Sequence, residues 1–304
     1  MSTALSGIKT AVIGGDDREI ILMTELVKMG ATVTAVGFPR DKVSYGICLV
    51  KTVEDALKGA EVAILPMPGT SPEGTVRAVY CEDNLVLTKP ALSSMTRPGI
   101  VVIGSARDFL HQWVEELNLT LFEIAEMDEV AILNSIPTAE GAIQIAMEET
   151  AITIHGSRCI VVGLGRVGQT LAHKLAVLNA QVTVVSQQAG ERARAKELSC
   201  LTAGFDELTA VMQNADIVFN TVPSLVISRE VIKTANPECL IIDLAASPGG
   251  TDFEAANNYG IKAILAPGLP GKVAPVSAGK ILAEVIPQLV IKEISRVETA
   301  QAYA

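Results

Sequence analysis

The sequence contains no apolar run long enough to cross a bilayer, because its most hydrophobic stretches are strand length and stop at Gly, Pro or Asp. It has no signal-peptide pattern either, so the expected location is the cytoplasm. Positive charge is scarce. Against 24 Lys and Arg stand 34 Asp and Glu, a net charge of −10 with no basic tail. That balance excludes nucleic acid and anionic membrane surfaces as partners while leaving room for a local basic pocket. The five cysteines, Cys48, Cys81, Cys159, Cys200 and Cys239, have no C-x-x-C spacing. They read as reduced core thiols, with neither a disulfide framework nor a metal site. The three histidines, His111, His155 and His173, have no acidic partner recognisable in sequence. No general base declares itself, and the His–Glu arrangement of a D-2-hydroxyacid dehydrogenase is missing.

What the sequence does hold is most concentrated at Cys159 to Thr170, where a buried apolar run leads into Gly163-x-Gly165-x-x-Gly168 and then into a helical pattern. Gly163 permits the tight turn, Gly165 lets backbone approach a pyrophosphate, and Gly168 lets the helix pack on the strand, with Leu164, Arg166 and Val167 completing the turn. Amides at that helix start face the phosphates. The next strand, Gln181 to Val185, ends at Ser186, where an Asp or Glu would mark NAD. Ser186, Gln187 and Gln188 stand there, with Arg192 and Arg194 shortly after, so nothing acidic opposes a 2′-phosphate. NADP is therefore expected, with NAD the alternative; the two arginines fit a solvated helix face equally well. Asn220, Thr221, Val222 and Pro223 follow one strand, and Asp243 and Ala245 open the loop after the next. Their Gly, Pro, Ser and Thr neighbours suggest a rim for ribose and nicotinamide, although βα turns alone explain each loop singly.

A weak internal repeat recurs at an offset of about 150 residues. Thr10 to Gly15 resembles Ile160 to Gly165, and Ala31 to Val36 resembles Ala180 to Val185. Strands separated by helix-length segments imply right-handed crossovers, and 304 residues with 49% apolar content suffice for two cores. The expected fold is α/β, with two Rossmann-like doubly wound parallel-sheet domains and a cleft between them. The boundaries are 1–135 for a substrate domain, 136–153 for a linker helix and 154–277 for an NAD(P)-binding domain. A helix at about 278–296 is expected to return to the first domain. In the first half, strands are expected at Val62 to Leu65, Leu85 to Leu87 and Ile100 to Ile103. The turn Gly14 to Arg18 lacks the third glycine, so this half is assigned to substrate, with the loop Pro66 to Gly74 at a strand end. Thr138 is expected to cap a helix over Ala142 to Thr150.

These segments together carry a family resemblance along essentially the whole chain. Ile13 to Arg18, Asn134 to Gly141, Ile154 to Ser157, Ser247 to Phe253 and Leu265 to Gly271 resemble the dipicolinate synthase A-subunit family. The resemblance implies oxidation of 2,3-dihydrodipicolinate to dipicolinate by NAD(P)+, at a branch from the lysine and diaminopimelate pathway in the mother cell of a sporulating bacterium. It also implies a flavoprotein-like partner, the B-subunit of the same synthase, and a homo-oligomer is expected. Two positions depart from the pattern: Gln187 stands where an Arg is expected, and Val276 stands where a Lys is expected, leaving Lys272 as the cation of that loop.

A dicarboxylate substrate calls for cations and hydroxyls. Arg18 is the first carboxylate anchor, since a guanidinium holds a carboxylate bidentately; a structural pair with Asp16 or Asp17 fits equally well. Thr138, Glu140 and Lys272 are further substrate-binding candidates, and Lys89, Arg97 and Arg107 are weaker ones. Two other readings remain. One is an amino acid dehydrogenase of the alanine dehydrogenase type, and the other a non-catalytic NADP-binding regulatory protein.

Overall fold

The structure, a computed structural model, describes residues 4–302. It divides into two compact units, one holding the chain to Val130 together with Pro275 onward, the other Ala131–Ala274.

In the first unit the elements are β1 (Lys9–Ile13), α1 (Asp17–Lys28), β2 (Thr32–Val36), β3 (Ile47–Leu49), α2 (Val53–Leu57), β4 (Val62–Ile64), β5 (Thr75–Val76), β6 (Leu85–Val86), α3 (Lys89–Ser93), β7 (Ile100–Ile103), α4 (Asp108–Glu116) and β8 (Thr120–Glu123). Six strands form one parallel sheet in the order β3-β2-β1-β4-β7-β8. The period-2 pleat sends Val12, Ile100 and Val102 to one face, and Ala11, Ile13, Val101 and Ile103 to the other. Both faces are apolar because helices cover both. The strand expected at Leu85 to Leu87 stays outside this sheet; Leu85–Val86 pairs antiparallel with Thr75–Val76 instead. Two residues are too few to complete a parallel crossover, and a hairpin satisfies them locally.

The helix α5 (Asp128–Glu149) begins before the expected linker and carries Pro137 in its interior. Thr138 is thus no cap, since its Oγ1 donates back to the Asn134 carbonyl at 2.7 Å from mid-helix. Ala139, Ala142 and Ala146 keep an i, i+3, i+7 face buried against the second sheet, and Gly141 comes close to Val273 and Leu269. That packing outweighs the hydrogen bond lost at Pro137.

Beyond it run β9 (Arg158–Val162), α6 (Arg166–Val177), β10 (Gln181–Val185), α7 (Ala189–Glu197), β11 (Leu201–Ala203), α8 (Leu208–Met212), β12 (Ile217–Asn220), α9 (Arg229–Ile232), β13 (Leu240–Asp243), α10 (Phe253–Tyr259), β14 (Lys262–Leu265) and α11 (Leu269–Val273). Their parallel sheet has the order β11-β10-β9-β12-β13-β14, the doubly wound arrangement of the first unit repeated. Cys159, Val161 and Phe219 face α5 and α6, while Ile160, Val162 and Val218 face α8 to α10. Each such fully buried side chain contributes roughly 1.5–3 kcal/mol. The last helix, α12 (Pro275–Ala302), packs along α1 within the first unit, where Gly279 lies against Ile21 and the Arg18 backbone.

All five thiols are free, but only Cys159, Cys200 and Cys239 are buried; Cys48 is exposed, so the all-core reading is corrected there. Burial pushes the Cys159 thiol up to about 11 and Cys239 to about 12, which keeps both protonated and inert. Among the described residues no helix is long and apolar enough to cross a membrane, and no acidic, His or Cys group is arranged to hold a metal ion.

Candidate functional site

The three glycines of the β9–α6 turn are held to glycine for different reasons. Gly163 has φ +87°, and a Cβ there would lie 2.6 Å from Thr221 Oγ1. At Gly168 a Cβ would lie 2.3 Å from the Gly163 carbonyl oxygen, so the helix could not approach the strand. Gly165 is the opposite case: it is exposed, and a Cβ there would meet nothing within 4 Å. It is also the N-cap of α6 and offers no side chain to the first-turn amides. Open space in front of an uncapped helix N-terminus fits a diphosphate. Arg166 is exposed and Val167 half-buried at this turn, whereas the Leu164 side chain is in the core and contributes main chain only.

The corresponding turn of the first unit is filled by its own acids. Asp16 accepts from the Arg18 amide at 3.1 Å, and Glu19 Oε2 accepts from the Asp16 amide at 2.7 Å, a complete capping box. A phosphate brought to α1 would meet two carboxylates. Burial, only partly offset by the Arg18 charge, pushes Glu19 up to about 7. Its folded value thus lies above the ordinary 4.5, so the neutral form stabilises the fold, and that stability is lost as pH rises from 4.5 through about 7. The shift corresponds to roughly 3 kcal/mol. Glu19→Gln keeps an acceptor for the Asp16 amide without the charge, and is expected to flatten urea stability across this window. An unchanged pH slope would contradict the buried, reluctant carboxylate.

Arg18 sits within this turn. Its Nε and Nη2 both donate to Asp16 at 2.8 Å, and the residue is 7% exposed. Of the two readings open in sequence, the structure displays the structural pair: the guanidinium fork is occupied by the protein's own carboxylate. Burial alone would raise the Asp16 carboxyl, but the Arg18 bonds and charge hold it below its ordinary value. Tyr80 donates its hydroxyl to Asp17 beside the pair.

At the end of β10, Ser186 is buried, and its Oγ accepts from the Gln188 amide at 3.1 Å and donates to a Glu191 carboxylate oxygen, Oε2. The same oxygen accepts from the Leu164 amide at 3.3 Å. The expectation that nothing acidic stands beside the ribose position is corrected here. Glu191 is the third residue of α7 and reaches back to the strand end, a contact that a Glu in a helix's first turn already makes possible. Arg192 is half-buried, with Nη1 donating to the Ser186 and Gln187 carbonyls at 2.7 and 2.9 Å. Arg194 is exposed and paired with Glu197, and Gln187 is exposed.

Asn220 and Asp243, both expected at the cofactor rim, are 0% exposed, and their side chains bond to the protein's own groups. Asp243 Oδ2 accepts from Asn220 Nδ2 at 3.0 Å, the Gly250 amide at 2.8 Å and Thr251 Oγ1 at 2.6 Å, and Oδ1 accepts from the Ala245 amide at 3.0 Å. Asn220 in turn bonds both main-chain groups of Val222. The pair ties the two strand-end loops together from beneath. Ala245 is buried with them, while Thr221 and Val222 are half-buried and Pro223 is exposed at the rim. Thr221 Oγ1 donates to the Val162 carbonyl at 2.9 Å.

The substrate-binding candidates separate. Glu140 is exposed and bonded to Lys174 at 2.8 Å. Lys174 lies eight residues beyond Arg166, about 12 Å along α6 at 1.5 Å per residue, so Glu140 is removed from the diphosphate end. Thr138 is occupied inside α5, as described. Lys272 is exposed on α11, beyond the end of β14, with no ion-pair partner among the described residues. Lys89 pairs with Glu116, and Arg97 donates to the Leu117 carbonyl at 2.7 Å. Arg107 Nε donates to the Thr70 carbonyl at 3.3 Å in the loop after β4. The Thr70 hydroxyl is buried there without a hydrogen-bond partner, an open polar atom where a ligand is expected. Sequence reasoning also missed that His111 Nε2 meets Glu123 at 3.2 Å across α4 and β8.

Comparison with known proteins fits this geometry. A family profile for the N-terminal domain of the dipicolinate synthase A-subunit matches residues 9–125, and one described as D-isomer specific 2-hydroxyacid dehydrogenase, NAD binding domain, matches 137–245. The dipicolinate synthase A-subunit of Bacillus subtilis (strain 168) is 39% identical over 288 residues, 94% of this chain and 96% of that one. The crystal structure of the dipicolinate synthase A-subunit from Bacillus halodurans superposes with a TM-score of 0.90 at 36% identity, covering 94% of this chain and 98% of that one. That of the Bacillus subtilis protein gives 0.89 at 37%, covering 96% and 98%. With a nicotinamide-type turn in one unit, a capped and acid-filled turn in the other, and likeness over nearly the whole length of each relative, the chain belongs to the dipicolinate synthase A-subunit family.

Proposed function

We propose that this chain oxidises 2,3-dihydrodipicolinate to dipicolinate with NAD(P)+, as the dehydrogenase component of a dipicolinate synthase whose second subunit is flavoprotein-like. The observation that carries the reading is the uncapped α6 N-terminus behind the open Gly165. A bound nicotinamide dinucleotide supplies the hydride acceptor at C4. The substrate loses one hydride and one proton; the ring becomes a pyridine, and aromatisation drives the loss. Because the departing ring proton is acidic, the chain needs no strong base, and its work is orientation. The α6 amides hold the diphosphate, and the loops tied by Asn220 and Asp243 carry Thr221, Val222 and Pro223 toward ribose and nicotinamide.

Lys272, exposed beyond β14, supplies a cation for one substrate carboxylate in this proposal. Lys272→Ala is expected to raise KM about tenfold, equivalent to about 1.4 kcal/mol, with kcat less affected. An unchanged KM would remove Lys272 from the site. The reaction itself is tested by giving the chain freshly generated dihydrodipicolinate and NAD+ or NADP+, with and without the flavoprotein-like partner. Pyridine and reduced-nicotinamide absorbance rising together supports the proposal. Turnover with an amino acid alone would favour an alanine-type dehydrogenase, and dinucleotide binding without turnover under either condition would favour a regulatory role.

A further inference from the structure

We propose that Glu191 is the specificity-determining residue of the dinucleotide site and makes this chain select NAD over NADP. The inference rests on the reading that the β9–α6 turn holds a nicotinamide dinucleotide. In a doubly wound unit of this strand order the adenosine ribose lies at the end of the second strand, and an acid there accepts its hydroxyls. The second strand of this unit is β10, and the residue that follows it, Ser186, carries no charge. The acid comes instead from α7.

Glu191 bridges the two segments that flank such a ribose. Its Oε2 takes the Ser186 hydroxyl, at the end of β10, and the Leu164 amide at 3.3 Å, in the glycine turn. Its Oε1 accepts no hydrogen bond from the described residues and is left to accept from a ribose hydroxyl. A 2′-phosphate in that place would bring nearly two negative charges against a carboxylate. Turning the carboxylate away would strip the buried Ser186 hydroxyl and the Leu164 amide of their acceptor.

The neighbouring cations are engaged by the protein's own groups. Arg192 directs Nη1 onto the Ser186 and Gln187 carbonyls at 2.7 and 2.9 Å, which holds the strand end in shape. Arg194 is paired with Glu197 at 3.1 Å, and Gln187 is neutral. Of the charged groups at this strand end, the Glu191 carboxylate is the one bonded to both flanking segments, and its sign suits a 2′-hydroxyl.

Isothermal titration calorimetry of the full chain with NAD+ and NADP+ tests this without relying on turnover. NAD+ is expected to bind at least tenfold tighter, about 1.4 kcal/mol. Glu191→Gln, which preserves shape and can donate to a phosphate, is expected to bring the two affinities within threefold of each other. A second titration of the wild-type chain, with adenosine 5′-monophosphate and adenosine 2′,5′-bisphosphate as probes, needs no variant and is expected to favour the monophosphate. NADP+ binding as tightly as NAD+ to the wild-type chain, or an unchanged ratio in a folded Glu191→Gln, would overturn the assignment while leaving the dinucleotide site standing. Binding of neither dinucleotide would overturn both.

Discussion

Gly165→Asp is expected to weaken dinucleotide binding at least 100-fold, about 2.8 kcal/mol, while leaving thermal stability unchanged or slightly raised. The two effects separate because of where Gly165 lies. It is an N-cap with φ −70° and ψ −163°, a conformation open to any residue, and a new Cβ would meet no atom within 4 Å. Asp is a better N-cap than Gly by a few tenths of a kcal/mol, so the helix gains the acceptor it lacks. The same carboxylate would occupy the amides and repel the diphosphate. The protein already contains that arrangement: α1 begins with Asp16 in this role, and its turn is closed to phosphate. Titration calorimetry and a melting curve on the one variant decide the matter. Unchanged affinity would remove the turn from the site, and a large fall in melting temperature would make Gly165 structural.

Asp243→Ala is expected to cost roughly 3–5 kcal/mol of stability, the largest effect foreseen for a residue that does not touch a ligand. The carboxylate is 0% exposed and is the common acceptor for Asn220, Ala245, Gly250 and Thr251. Truncation takes the acceptor from the Ala245 and Gly250 amides and the Thr251 hydroxyl, and leaves Asn220 Nδ2 with the Val222 carbonyl alone. Because Gly250 packs against the Ser224 and Val222 carbonyls, loss of the tie also loosens the loop after β12, and weaker dinucleotide binding should accompany the lost stability. Urea unfolding that shows less than about 1 kcal/mol of change would mean that water replaces the carboxylate, contrary to this account.

The architecture was legible because its signals are local. Apolar runs such as Cys159 to Val162 set buried strands, and three glycines at fixed spacing mark one turn as phosphate-binding and the other, lacking the third, as something else. Legibility failed where the answer depended on direction rather than position. Asn220 and Asp243 were correctly placed at strand ends, but residue type does not say whether a polar side chain points toward a ligand or beneath the loops, and these point beneath. Glu191 was missed because its importance arises from a turn that folds the start of α7 back onto Ser186; in sequence it is one more acid on a polar helix. Pro137 and Thr138 resembled a helix start, yet the buried face formed by Ala139, Ala142 and Ala146 carries α5 through them. Arg18 was ambiguous for a different reason, since a guanidinium serves a substrate carboxylate and a neighbouring Asp16 by the same geometry, and only the distances chose.

Hydride transfer from a dihydropyridine dicarboxylate to a nicotinamide is the step this chain is proposed to perform. The most direct measurement uses dihydrodipicolinate deuterated on its saturated ring carbons, with the chain, NAD+ and the flavoprotein-like partner, and reads the mass of the reduced cofactor. The account predicts one deuterium per reduced nicotinamide and one dipicolinate for each. Dipicolinate formed while the nicotinamide stays oxidised and carries no deuterium would contradict it.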